Sequence, residues 1–563
     1  MSISILYLYA LSAIWVISFV GYGIYIFYLL EKIAEKSLLM VLFFCGLLGI
    51  CIVSVLGNFI NLFFPLGQEI SLVILVVGLL LAIINIKIIP RIKSNEILLP
   101  IVAFFICFGL AQIGYPTFGG DTLTYHIQIV KWTQESKTPI GLVHLFERLA
   151  SNNSLFTVAA TVELGHFKNY SVFITNGFFL FFIACGFAHS IDIIFRDEKT
   201  RLSSIFLFLS GFTIFAGTYK FLGNLYVELS AATMTIAITY LMLRIIENKH
   251  YPEEQKKIFY ILSIFALFSI TLKLSMLVFA ITSIVISFYL LDKNIRNTFD
   301  KPIPIAIATV IILPWQLKSI LMSGTLLYPI SETRLPFLSW TISAEECTRI
   351  STVIKEWARF GGTLQEQNHY PLSWVTIWFH NVFMRDIDIS RSLGVIALAC
   401  LVYSYARFAG KYTKIDGRYL YTLIPIGYGL LYWFLTAPDG RFAFALWYSL
   451  SFLLVSYAIL SLTFQNSKPY KKITVIAFLL AICIATYNDT QKKISEFPLG
   501  ATFPGIEHAD YERIKSPNGA YYSSPKQNTT CGDAPLPCKE PPPMFIQLNI
   551  DFFNKTGLTE PLH

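Results

Sequence analysis

Asp121 stands in the stretch GYPTFGGDTLTYHIQIVKWTQE, directly after two glycines and ahead of a segment able to form a helix. A carboxylate placed there can take a proton from a hydroxyl nucleophile, and the glycines allow a ligand to approach closely. Cations are scattered through the rest of the chain: Lys273 and Arg441 each interrupt a short, otherwise uncharged turn between apolar runs, while Lys131, Arg148 and Arg359 lie in longer polar segments. Such groups suit a phosphate, Arg as a bidentate fork and Lys as a point charge. Glu228 falls just inside a further apolar run, after KFLGNLYV, where an ionisable side chain is costly and usually functional. A proton acceptor plus anion-holding cations describes group transfer from a phosphate leaving group to a hydroxyl, with Asp121 and Glu228 as the acidic candidates.

Each residue also has a plainer role. Asp121 can simply cap the helix that follows it, accepting from backbone N–H groups. Lys273 and Arg441 can snorkel to lipid headgroups, and Glu228 can form a structural ion pair with Lys220. Tyr125, His126 and Trp132 can line a substrate site, as can Trp357, but belt aromatics and an ordinary hydrogen-bonding histidine account for them equally.

The elements that must carry these residues are set by composition. Of 563 residues, 55% are hydrophobic and 14% charged, too apolar for ordinary water-soluble domains. Taking about 20 apolar residues per crossing, roughly 14 stretches qualify. They lie near 4–29, 38–63, 70–88, 97–114, 171–195, 202–217, 226–245, 258–272, 275–292, 303–318, 391–408, 418–436, 442–463 and 473–488. The expected fold is an all-α polytopic membrane protein, with a transmembrane part over 1–488 and an extracytoplasmic C-terminal segment over 489–563. The first stretch lacks a basic leader and a small-residue cleavage site, so it is read as a true span.

Orientation follows from Lys and Arg. Of 43, the short loops after odd-numbered spans hold 22 and the opposite short loops hold three, Lys220, Lys273 and Arg441. Lys and Arg collect on the cytoplasmic side, so 113–170, 319–390 and the tail are expected outside, and the net charge of +8 is a topology signal with no nucleic-acid footprint. Residues 122–134 read as a helix able to lie in the interface, with Asp121, Tyr125, Gln128 and Trp132 near one face. Cys531 and Cys538, in CGDAPLPC, are expected to form a local disulfide in an oxidising compartment, since no further ligands stand at metal spacing. Cys347 is left over, and N-x-S/T triplets at Asn152, Asn169, Asn528 and Asn554 would lie outside or at the membrane edge.

An acid at the start of the first long outer loop, after early apolar helices and before an aromatic-rich helix, resembles the GT-C glycosyltransferases, the superfamily of protein O-mannosyltransferases and lipid A aminoarabinose transferases. SGTLLYPI at 323–330, WARFGG at 357–362, APDGRF at 437–442 and APLPC at 534–538 are similar to segments of multispanning bacterial members. The resemblance implies a GT-C-like bundle in the bacterial inner membrane, with its active site facing the periplasm or exterior. It further implies a polyprenyl-phosphate-linked sugar donor and an envelope glycan, lipid or protein as acceptor. Many relatives pair two acids at the loop motif, whereas Thr122 follows Asp121 here, so a divalent cation is left open.

Two other functions compete. A polysaccharide polymerase or ligase would take a lipid-diphosphate donor and rely on outer Arg residues such as Arg359, Arg385, Arg391 and Arg441. A transporter or flippase would show paired halves with charges near the midplane. The chain shows no such repeat.

Overall fold

Runs apolar on every side, broken at Gly, Pro and charge clusters, form helices that bury themselves in protein or in lipid. In this computed structural model the described residues are 3–29, 37–86, 94–113, 121–164, 171–196, 201–297, 302–361, 373–408, 415–461, 511–515, 521–526, 531 and 534–538. Helices α1 (Ile3–Leu29), α2 (Leu38–Asn61), α3 (Gln68–Ile84) and α4 (Ser94–Ile113) precede the first long loop. That loop holds a π turn, Thr122–His126, and the short helices α5 (Ile127–Glu135) and α6 (Ser154–Val162). Next come α7 (Ser171–Arg196), α8 (Leu202–Phe221), α9 (Glu228–Glu247), α10 (Pro252–Leu272), α11 (Leu277–Leu290), α12 (Lys293–Asn297) and α13 (Pro302–Ser323). The second long loop carries α14 (Ala344–Phe360) and α15 (Ser373–Trp378), followed by α16 (Ile387–Phe408), α17 (Leu423–Thr436) and α18 (Gly440–Ser461). In the tail, β1 (Tyr511–Lys515) and β2 (Tyr521–Pro525) pair antiparallel, Arg513 opposite Ser523.

The fold is thus almost all α, and among the described residues seven helices are long and apolar enough to cross a membrane. The expected all-α polytopic character stands, and the count of about 14 is not confirmed. Five further apolar stretches of 10–17 residues, Gln68–Ile84, Leu98–Gly109, Leu202–Gly211, Leu274–Leu290 and Ile389–Tyr405, accompany those seven helices, and 473–488 lies outside the described residues. Helix α9 is buried along its whole length, packed against α7, α8, α10, α11 and α18. By contrast α3, α4, α13 and α16 turn large apolar side chains outward, among them Val73, Ile84, Leu98, Ile305, Val310 and Leu401. Close approach of α1, α2 and α3 depends on glycine: a Cβ at Gly49 would meet the Phe19 carbonyl oxygen at 1.8 Å, and one at Gly23 would meet that of Cys45 at 1.8 Å.

Two ionic clusters mark the ends of α9. Glu228 opens it, and near its other end Arg244 and Glu247 pair with each other, the Glu247 carboxylate also accepting from the backbone and hydroxyl of Ser203. No charged residue lies between Glu228 and Arg244. The nineteen steps from Glu228 to Glu247 span about 29 Å at ~1.5 Å per residue, close to the ~30 Å hydrocarbon thickness of a bilayer.

The first long loop does not lie on a surface. Ile127, Val130 and Trp132 of α5 belong to the main core, its polar Gln128 and Thr133 are buried too, and every residue of α6 is buried. That replaces the interfacial helix expected over 122–134 by one held inside the protein. Its anchors are on α2. Asn61 donates to the carbonyls of Thr133 and Ser136, at 3.0 Å each, and Asn58 donates to Ser154 Oγ and accepts from Thr157 Oγ1.

Candidate functional site

Helix ends from both halves of the chain converge on a cavity of about 500 Å³. The first long loop contributes Asp121, Tyr125, His126 and Arg148; Tyr226 and Glu228 come from the start of α9, Lys273 from the end of α10, and Arg441 and Phe442 from the start of α18. The second long loop closes the side with Tyr328, Pro329 and the Ile350, Ile354 and Trp357 face of α14.

Five of these side chains form one alternating ionic chain. Arg148 Nη1 is 3.3 Å from Asp121 Oδ1, and Arg441 Nη1 is 3.9 Å from Asp121 Oδ2. Arg441 Nε is in turn 3.5 Å from Glu228 Oε1, which also accepts from Lys273 Nζ at 3.2 Å. Three cations and two carboxylates leave the chain at net +1. Aromatic faces hold the cations in place: Tyr125 lies under Arg148, Tyr226 and Trp357 under Arg441, and Phe442 under Lys273 at 4.5 Å. A sixth lining charge, Glu147, is taken by Arg349 of α14, and its carbonyl accepts from Tyr328 Oη at 2.9 Å.

Local sequence explains the placement. Asp121 makes no side-chain cap, because the residues after it wind as a π turn; its carboxylate goes to Arg148 and Arg441, not to backbone N–H groups, which corrects the capping alternative. The π turn also shifts the phase of the helix. Tyr125 and His126 face the cavity, whereas Gln128 and Lys131 donate to the Ala534 carbonyl of the disulfide loop, at 3.2 and 2.8 Å, and Trp132 enters the core. In GNLYVE, the Asn176 amide of α7 donates to the carbonyls of Asn224 and Tyr226, at 3.0 and 2.9 Å, fixing the strand of chain that presents Tyr226 and Glu228. In APDGRF, Trp378 donates to the Pro438 carbonyl and Trp433 to that of Asp439, while Asp439 Oδ1 accepts from the Arg441 N–H. Gly440 lets the Asp386 carboxylate approach that turn, since a Cβ there would meet Asp386 Oδ2 at 1.8 Å and push that side chain aside.

Burial sets the protonation states. His126 is buried against Phe156 and faces Arg441 and Arg148, so its pKa falls from 6.5 to about 3 and it is neutral, a hydrogen-bonding group and no cation. Burial also lowers Lys273, a loss that Glu228 partly offsets, and burial raises Tyr125 and Tyr226. Among the described residues no three His, Cys, Asp or Glu side chains converge as metal ligands. Asp121 and Glu228 instead face cations.

Of the residues singled out from sequence, Asp121, Glu228, Lys273, Arg441, Arg148, Tyr125 and His126 meet in the cavity, and Trp357 lines it with them. Lys131, Trp132 and Arg359 do not line it. Arg359 stacks over Trp374 at 4.2 Å, outside the cavity. Glu228 pairs with Lys273 and Arg441; the side chain of Lys220, its expected partner, lies outside the described residues. Cys531 and Cys538 form a disulfide, and Cys347 is a buried free thiol. Asn152 pairs with Trp315, its amide donating to the Trp315 carbonyl while the indole donates to its own carbonyl at 2.7 Å. Asn169, Asn528 and Asn554 lie outside the described residues. Sequence reasoning missed Tyr226, Glu147 and Tyr328; Tyr226 was detectable as the aromatic two positions before an acid in an apolar run.

The family model described as a domain of unknown function (DUF8201) matches residues 3–448, well over half of the chain, and the chain belongs to that family. The match contains every residue lining the cavity and ends before the tail hairpin. No curated protein and no solved structure matches the chain.

Proposed function

We propose, proceeding from membership of that family, that the chain is a GT-C-like membrane glycosyltransferase that moves a sugar from a polyprenyl-phosphate donor to an envelope glycan, lipid or protein. The observation that carries this reading is the ionic chain Arg148, Asp121, Arg441, Glu228, Lys273 around one cavity. Its net charge of +1 matches the single negative charge of a phosphodiester. A diphosphate donor would exceed it. A volume of about 500 Å³ accommodates a sugar phosphate, and the half-exposed Ile354 and Trp357 on α14 offer an apolar way out for the prenyl chain.

In this reading the donor phosphate draws Arg148 and Arg441 away from Asp121, contacts that are already long. The freed carboxylate takes the proton of the acceptor hydroxyl as its oxygen attacks the anomeric carbon. The sugar–phosphate bond breaks, and the departing prenyl phosphate stays on the cations. The basic helix ends near Arg244 would face the cytoplasm and the cavity the outside, as the positive-inside rule favours for a bacterial inner membrane protein. Of the four arginines expected for a diphosphate-dependent polymerase or ligase, Arg441 lines the cavity and Arg359, Arg385 and Arg391 do not.

The test is transfer from a prenyl-monophosphate sugar by purified protein. Asp121→Asn, expressed and folded to the wild-type level, is expected to lose at least about a hundredfold in rate. Undiminished transfer rejects the base assignment, and transfer from a diphosphate donor alone rejects the donor class.

A further inference from the structure

We infer that Glu228 recognises a hydroxyl of the donor's sugar through its second carboxylate oxygen, Oε2. This deepens the glycosyltransferase reading and rests on it. Glu228 is 4% exposed and lines the cavity. Its Oε1 is shared by Lys273 and Arg441, whereas Oε2 is buried and has no hydrogen-bond partner among the described residues. A buried carboxylate oxygen left unpaired is a large penalty, so a group arriving with the ligand is the natural complement. Ser275, two residues past Lys273 on the same lining, has a hydroxyl that is also buried and without a partner.

Charge decides what that group is. A phosphate oxygen at Oε2 meets like-charge repulsion and Lys273 beside it is mostly buried, whereas Arg148 is the more exposed cation, which leaves the phosphate to the Arg148 end of the chain. An ammonium would be opposed by Lys273 and Arg441, both already on the same carboxylate. A neutral hydroxyl donates one proton to Oε2 in a strong charge-assisted bond. The cavity is therefore polarised, phosphate toward Arg148 and sugar toward Glu228.

Binding to the full chain in lipid nanodiscs tests this. The probes are farnesol, farnesyl phosphate and farnesyl-phosphoryl glucose, galactose, mannose and arabinose, with singly deoxygenated versions of whichever sugar binds best. Wild type is expected to hold that sugar-linked lipid about tenfold tighter than farnesyl phosphate, and Glu228→Gln to abolish this ratio without weakening farnesyl phosphate. A Glu228 that serves only as a counter-ion would leave the discrimination between the sugar-linked lipid and its deoxygenated versions, all monoanionic phosphodiesters, unchanged in Glu228→Gln, and that outcome overturns the inference. The deoxygenated probes need only wild type: one of them should lose about tenfold, and equal binding of all of them is a refutation even where the variant fails to fold. Equal binding of sugar-linked and bare farnesyl phosphate, both tighter than farnesol, overturns the hydroxyl role alone. Binding no tighter than farnesol removes the phosphate reading and the hydroxyl role with it.

Discussion

At the scale of single residues, Arg441 has the most demanding position. One guanidinium reaches Asp121 through Nη1 and Glu228 through Nε while stacking near Tyr226 and Trp357, which a compact ammonium cannot do at once. Arg441→Lys is therefore expected to keep the fold yet weaken the prenyl-phosphate donor by about tenfold or more; equal affinity in a direct binding measurement would remove Arg441 from the site. His126 makes a separate prediction through pH. Unfolded, it takes a proton below about 6.5; folded, it resists until about 3. The unfolded state thus binds the extra proton in that window, and the stability His126 contributes is complete above pH ~6.5 and lost progressively as the pH falls toward 3. Between pH 7 and 5 the thermal midpoint of His126→Gln should fall less than that of wild type, and parallel profiles would show that the histidine does not couple to folding.

At the scale of elements, the site is also held by contacts between uncharged groups. The Asn176 amide holds two carbonyls of the loop before α9, and Asn176→Leu leaves both Asn224 and Tyr226 carbonyls short of a donor, at about 1–3 kcal/mol each. The expected result is a lower unfolding temperature together with weaker donor binding, because the same loop presents Glu228. Gly49 separates these effects. A Cβ there would collide with the Phe19 backbone, so Gly49→Ala must part α1 from α2 at a cost of about 1–3 kcal/mol. Being remote from the cavity lining, it should lower stability while leaving the affinity of the folded fraction intact, which ligand titration of the surviving protein can check. These elements also show how much of the site was legible beforehand. Lys273, Arg441 and Glu228 stood out because a charge in an apolar run needs a reason, Asp121 because it follows two glycines in a long loop, and SGTLLYPI, WARFGG and APDGRF each supply lining residues. Lys131 and Trp132 were misplaced because a 3.6-residue period does not foresee the π turn that rotates α5. The Asn176 anchor and the Glu147 pair with Arg349 join residues far apart in sequence, and no local pattern announces them.

At the scale of the whole molecule, the paired ionic clusters of α9 tie the site to a membrane side. If the ~29 Å between Glu228 and Glu247 is the thickness of the hydrocarbon layer, the cavity and the Arg244 end face different compartments. Two exposed positions report on this: Ser343, at the start of α14 beside the cavity wall, and Lys249, just past the far end of α9. In intact cells expressing Ser343→Cys or Lys249→Cys, a membrane-impermeant thiol reagent is expected to label only the first, and both after permeabilisation. The native thiols Cys45, Cys51, Cys107, Cys185 and Cys347 are buried, and Cys400 lies on the outward apolar face of α16, so their background should be low. Labelling of both variants without permeabilisation would mean that α9 does not separate two aqueous phases. Labelling of Lys249→Cys alone would turn the cavity toward the cytoplasm, and a prenyl-linked sugar presented on the outer face could then never reach Asp121.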